Sequence, residues 1–340
     1  MRPLSRTDTG TGTGTAPAPR RPGTDTALRR PGTPTVVPMT TEPRDDADVP
    51  RFLAELGVPG LADIHVHFLP ERMLTKVWDY FDQAADGYGR AWPITYRYDT
   101  PTRLRIVREL GLARIPALTY PHKPGMARWL NAWNAEFADS APDILHCATL
   151  YPEPGVGEYV AEALASGARL FKVHVQVGAF SPADPLLDPA WEALAAARVP
   201  VVIHAGSAPR PGKHTGPEAV ARVLAAHPEL RLVIAHMGMP EYHAFADLAE
   251  AYAGVHLDTT MFNTDFTNDG TPFDAAYRAR LPGLRERIVL GSDFPNIPYP
   301  YAHQLQALCR LGGSDEGFGD DWLRAVLWDN GARLMGIDGT

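Results

Sequence analysis

Residues 189–206 read PAWEALAAARVPVVIHAG, and residues 217–238 read PEAVARVLAAHPELRLVIAHMG. Each stretch opens on an Ala/Leu-rich amphipathic segment and passes into a short run of β-branched and aliphatic residues, the pattern of a helix followed by a strand. The alternation continues in both directions. Apolar runs recur at 60–68 (GLADIHVHF), 112–120 (LARIPALTY), 143–150 (DILHCATL), 168–175 (ARLFKVHV), 254–262 (GVHLDTTMF) and 287–295 (RIVLGSDFP), making eight with the two above. Helix-like segments at 157–167 and 241–253 fill further intervals. Strands alternating with helices pair in parallel, and eight such units close into an α/β (β/α)8 TIM barrel. The interval 69–111 is the least regular. It holds a helix over 71–85, an aromatic insertion YGRAWPITYRY at 88–98 and a second helix over 102–110, and insertions after barrel strands commonly wall the pocket.

Composition bounds the function. The chain has 340 residues, 45% hydrophobic and 21% charged, with a formal net charge of -8, which is the profile of a globular protein. No apolar run is long enough for a membrane span and no signal-peptide core is readable, so a cytoplasmic address is expected. Only Cys147 and Cys309 are present, which excludes a disulfide scaffold and a thiolate metal cluster. The acidic balance argues against a nucleic-acid partner and for a small-molecule substrate. Residues 1–38 are Thr/Gly/Pro/Arg-rich with almost no large apolar residue, carry six arginines against Asp8 and Asp25, and are expected to be a disordered extension. Met39 is an alternative start, and 39–340 is expected to fold as one domain. A homo-oligomer is compatible with the sequence but not specified by it.

The chemistry sits where polar side chains end apolar strands, because such residues face the mouth of a barrel. The strand period of two puts His65 and His67 of DIHVH on one face, and Lys172 and His174 of FKVHV on another. His204, His236 and Asp293 each end a run of their own. Three imidazoles and a carboxylate suit a borderline divalent metal with one position open to water, zinc by ligand type and manganese as the alternative. His122 and Lys123 after the second run, and Arg210 after the fifth, lie on the same side and are candidates for binding a substrate carboxylate. Asp63 is read as an anchor for the strand or for a ligand. His146, His227, His243, His256 and His303 carry no such placement argument.

These motifs together, DIHVH, IHAG, AHMG, GSDFP and the closing LWDNGARLMG at 327–336, resemble the amidohydrolase superfamily. The resemblance is to the amidohydrolase-related group that also contains aminocarboxymuconate semialdehyde decarboxylase and pyrone dicarboxylate lactonase. It covers residues 60–337. It implies that His65, His67, His204 and Asp293 hold metal, that Asp293 is the general base, and that His236 orients water or polarises the substrate. It also implies a choice between one metal and two per chain, since in binuclear relatives a carboxylated lysine, here Lys172, bridges a pair; Lys172 and His174 are otherwise substrate contacts. The expected activity is hydrolysis of an ester, lactone or amide in a small organic acid. The alternatives are decarboxylation of an unsaturated or aromatic acid and a non-catalytic ligand-binding barrel.

Overall fold

In the computed structural model, which describes Gly14 and residues 41–268, 272–312 and 318–337, the eight apolar runs stand side by side in chain order. β1 (Ile115–Pro116) pairs in parallel with β2 (Ile144–Leu145). β3 (Cys147–Thr149), β4 (Leu170–His174), β5 (Val201–His204), β6 (Leu232–Ile234), β7 (Val255–Asp258) and β8 (Ile288–Val289) form a six-stranded sheet in that order, parallel throughout. β2 and β3 are two halves of the third run, parted at His146.

The first run closes the ring. Leu61 bridges to Leu112 on one side and Val66 to Phe294 on the other, both in parallel sense. Hydrogen bonds from Ile64 N–H to the Leu290 carbonyl (2.9 Å), His67 N–H to Phe294 (2.7 Å) and Leu118 N–H to Val66 (3.0 Å) complete the seam. The expectation of eight regular strands is therefore corrected at this position: the segment is bonded on both flanks but irregular. The cause is local, because the His65 N–H turns to the Asp63 Oδ1 at 3.0 Å instead of entering a ladder.

Strand register sets which side chains face the barrel interior. Lys172 lies opposite Val202 and His174 opposite His204, and Val233 lies opposite His256. The alternate residues Phe171, Val173, Val201 and Ile203 are fully or almost fully buried under the helices. Helices Val156–Ala165, Asp188–Ala197, Pro217–Ala226 and Tyr242–Ala251 follow their strands as the sequence pattern implies. The expected 71–85 helix is two pieces, Glu71–Asp82 and Ala84–Tyr88. Helices at Val49–Leu56, Met126–Asp139 and Tyr301–Gly312 were not singled out in the sequence.

The closing helix Asn330–Met335 packs against the first run so closely that a Cβ on Gly331 would stand 2.3 Å from the Ala62 carbonyl oxygen, so only glycine fits there. The expected disordered extension, residues 1–38, lies outside the described residues apart from Gly14. Among the described residues no helix is long and apolar enough to cross a membrane.

Candidate metal centre and active site

A pocket of about 450 Å³ opens where the strands end, and His65, His67, Lys172, His174, His204, His236 and Asp293 all line it. Seven residues separated by up to 228 positions in sequence are thus brought together by the barrel. His65, His67 and Asp293 form the tightest group, with one ligand atom from each lying within 4.8 Å of the others.

What stands behind each imidazole decides what it offers. His67 Nδ1 lies 2.9 Å from the Leu118 carbonyl oxygen and His65 Nδ1 lies 2.9 Å from Asp258 Oδ2, with Thr260 Oγ1 3.0 Å from that same nitrogen. Each Nδ1–H is donated to oxygen, which leaves Nε2 as the lone pair facing the pocket, the arrangement that orients metal-binding histidines. Both lone pairs converge on Asp293 Oδ1, at 3.0 Å from His67 and 3.7 Å from His65. Two acceptors at 3.0 Å need a proton or a cation between them. Ligand atoms about 2.1 Å from a common metal stand roughly 3.0–3.4 Å apart, so the spacing fits a shared divalent ion.

Electrostatics agree with that reading. Burial, with the Lys172 charge adding to it, pushes His65 down to about 4. Burial likewise pushes His204 down to about 3 and His236 to about 4. These rings are neutral near pH 7, the form that ligates metal. Burial disfavours charge on Asp293 as well, but its interactions with His67, His65 and His236 outweigh it, and its carboxyl stays well below the usual range. Asp293 has backbone φ +69, an uncommon conformation for a residue with a Cβ. Its N–H is tied to the His65 carbonyl at 2.8 Å, which aims the carboxylate back across the first run.

Lys172 is buried, its Nζ 2.8 Å from His65 Nε2, and desolvation pushes it down to about 8. It occupies one side of the lone pair that a cation would use. His204 is set apart from the tight group: its Nε2 faces the Ala208 carbonyl at 3.0 Å, and its ring stacks on His174 with centroids 4.1 Å apart. His236 has φ +57 and donates its backbone N–H to Asp258 Oδ1 at 2.9 Å. Its Nδ1 is buried without a hydrogen-bond partner among the described residues. Of the expected carboxylate-binding side chains, only His122 reaches the pocket wall. Lys123 and Arg210 are exposed and lie outside it, with Arg210 donating to the Gly87 carbonyl. Of the aromatic insertion, Trp92 lines the pocket, Tyr96 is core with its hydroxyl on Asp46, and Tyr98 faces solvent.

The residue that sequence reasoning missed is Asp258. It ends β7 as Asp293 ends the eighth run, so the same strand-end argument applied to VHLD would have found it. It is fully buried and joins His65 Nδ1 to the His236 backbone. Burial opposes its charge, yet its partners hold the carboxyl well below the ordinary value. Gly291 passes so close that a Cβ would stand 2.5 Å from Thr260 Oγ1 and 2.9 Å from Asp258, which explains the glycine of GSDFP. Asp63 is also buried, accepting from the His65 N–H and from the Tyr301 hydroxyl at 2.8 Å, and burial pushes it up to about 7.

A family model described as amidohydrolase matches residues 62–337. None of the curated proteins matches the chain. Solved structures share the fold at low identity. An uncharacterised TIM-barrel protein from Bordetella bronchiseptica is 18% identical with a TM-score of 0.60, over 81% of this chain and 98% of that one. A putative 2-pyrone-4,6-dicarboxylic acid hydrolase from Pseudomonas putida is 17% identical with a TM-score of 0.55, over 83% and 99%. A 5-carboxyvanillate decarboxylase from Novosphingobium aromaticivorans, complexed with manganese and 4-hydroxy-3-methoxy-5-nitrobenzoic acid, is 14% identical with a TM-score of 0.54, over 84% and 97%.

Proposed function

Because the chain belongs to the amidohydrolase family, we propose that it is a metal-dependent hydrolase acting on the carbonyl of an ester, lactone or amide in a small organic acid. In this reading His65, His67 and Asp293 hold one divalent cation, zinc before manganese, with His204 as the further ligand. The observation that carries it is the convergence of two oriented Nε2 lone pairs on the Asp293 carboxylate. A cation bound there supplies Lewis acidity, polarising a carbonyl and bringing the pKa of water toward neutrality.

The protein's own groups do the rest. Asp293, kept ionised, accepts the proton that water gives up as it adds to the carbonyl carbon. His236, neutral and turned into the pocket by its positive φ, orients the water or hydrogen-bonds the oxygen on which negative charge develops. Asp258 acts through others, holding the His65 tautomer and the His236 backbone in one network. The buried pocket lowers the local dielectric and strengthens each of these interactions.

The test is turnover of carboxylated aryl esters and lactones by metal-stripped and zinc-reconstituted protein. Restoration on reconstitution is expected, and turnover unaffected by metal removal overturns the reading. A second reading, decarboxylation of an aromatic acid on the same residues, is favoured by the aromatic wall of Phe81, Trp92 and Tyr120. Carbon dioxide released with no net uptake of water identifies it.

A further inference from the structure

The floor of the barrel, where the strands begin, carries a charge pattern of its own. Arg231 stands directly before β6 and Arg287 directly before β8, while Arg333 lies in the closing helix Asn330–Met335. Register brings the first two toward one residue. Arg231 precedes Val233 by two positions, so the pleat puts both on the same face, and Val233 pairs with His256. Ile288, which follows Arg287, pairs with Leu257, which follows His256. The ladder holds this alignment, since the Val201 N–H donates to the Arg231 carbonyl at 2.9 Å and the Leu232 N–H to the Gly254 carbonyl at 3.1 Å.

Elsewhere in the chain arginines are neutralised: Arg97 by Asp82 and Arg108 by Asp143, both at 2.7 Å, and Arg280 by Asp247 and Glu250. Arg231, Arg287 and Arg333 form no ion pair among the described residues. Arg287 donates only to the Ala253 carbonyl, which leaves its charge uncompensated. With 40 acidic residues against 32 lysines and arginines in the sequence, a shortage of carboxylates is not the cause. A cavity of about 410 Å³, lined by Arg285, Glu286 and Arg287, opens beside this cluster.

His256 lies among these charges and is 8% exposed. Its Nδ1 faces the Gly254 carbonyl at 3.3 Å, so the proton of the neutral ring sits there and Nε2 keeps a lone pair with no partner among the described residues. Burial, and after it the charges of Arg287, Arg333 and Arg231, push the ring down to about 4. Three cations around one buried acceptor repel one another, and an anion among them relieves that repulsion. Guanidinium forks match tetrahedral oxyanions, and the lone pair on Nε2 asks for an anion that still carries an O–H.

We infer that the barrel floor is a binding site for monohydrogen phosphate, its oxygens held by Arg231, Arg287 and Arg333 and its one P–OH donated to His256 Nε2. The site lies at the opposite end of the strands from the metal centre and does not depend on the hydrolase reading. His256 is its specificity residue. Sulfate has the same shape and charge but no O–H, so it leaves the buried lone pair unmet.

The experiment is calorimetric binding of inorganic phosphate and of sulfate to zinc-loaded protein, at mildly alkaline pH where both are dianions and at constant ionic strength. Phosphate is expected to bind about tenfold more tightly than sulfate, and Arg231→Gln and Arg333→Gln, checked for folding by circular dichroism, are each expected to weaken phosphate about tenfold or more. His256→Phe is expected to abolish the preference while leaving sulfate affinity unchanged. Asp293→Asn separates this site from phosphate on the zinc, and is expected to keep the floor affinity. Equal binding of the two anions, a preference that survives in His256→Phe, or phosphate binding lost in Asp293→Asn but unchanged in both arginine variants overturns the inference.

Discussion

The pocket has two halves with nearly the same inventory of imidazoles and different surroundings. On one side His65 and His67 each have Nδ1 tied to an oxygen and Nε2 aimed at Asp293. On the other, His174 and His204 stack face to face, with an interplanar angle of 10°, and His236 leans on His204 at 62° with centroids 4.6 Å apart. No carboxylate touches the stacked pair among the described contacts; their nitrogens meet the Val177 N–H and the Ala208 carbonyl. A histidine becomes a metal ligand through what holds its other nitrogen and what charge it faces. The first half is built for a cation, toward which the second offers only His204; the rest of the second half is built for neutral polar contact.

The largest expected effect is on the first half. His65→Ala and Asp293→Asn each lower turnover by about a thousandfold or more while leaving the fold, read by circular dichroism, in place, because each removes a ligand or the base itself. Near-native turnover in either variant would mean that the two halves have been assigned the wrong way round. Next in size is Asp258→Asn. It keeps shape but weakens the acceptor behind His65, and about a 10- to 100-fold loss of zinc affinity is expected in a competition titration. An unchanged affinity would show that Asp258 serves only the His236 backbone.

Smaller still is His174→Gln in the second half. Metal content is expected to stay the same while KM rises about three- to tenfold, the cost of one substrate hydrogen bond. Loss of metal from this variant would erase the distinction between the halves.

Much of this arrangement was legible before the fold was seen, and the reasons differ by residue. His65, His67, His204, His236 and Asp293 stood out because a titratable group at the end of an apolar run has few structural uses, and all of them line the pocket. Asp258 satisfies the same rule but was hidden because the run 254–262 continues past it through Thr259 to Phe262, whereas the strand itself ends at Asp258. Chain position told which loops lie on the pocket side, but not where their tips point. Thus Arg210 reaches the Gly87 carbonyl and Lys123 faces outward, whereas Asn296, three residues after Asp293, turns its amide inward through a bond to Trp78 that no local pattern announces. The irregularity of the first run was equally hidden, since it depends on Asp63 capturing the His65 N–H.

The smallest effect per group is on stability. His65, His204, His236 and His256 all have folded-state values pushed down by burial, to about 4, 3, 4 and 4. Between those values and the ordinary 6.5 the unfolded chain binds more protons, so stability rises with pH there and is lost as pH falls through the window. Asp63, pushed up to about 7, works in the opposite sense for a single group. The Tm of metal-free protein is therefore expected to fall from pH 7 to pH 5, and less steeply in His204→Gln. A flat profile would show that these rings are not held neutral.

The central claim, that one cation belongs to the His65–His67–Asp293 half, is tested most directly by elemental analysis of zinc-supplemented wild type and Asp293→Asn after exhaustive dialysis. The account predicts about one zinc per wild-type chain and a large loss in the variant. Two zinc ions per chain, none in the wild type, or full retention in Asp293→Asn would contradict it.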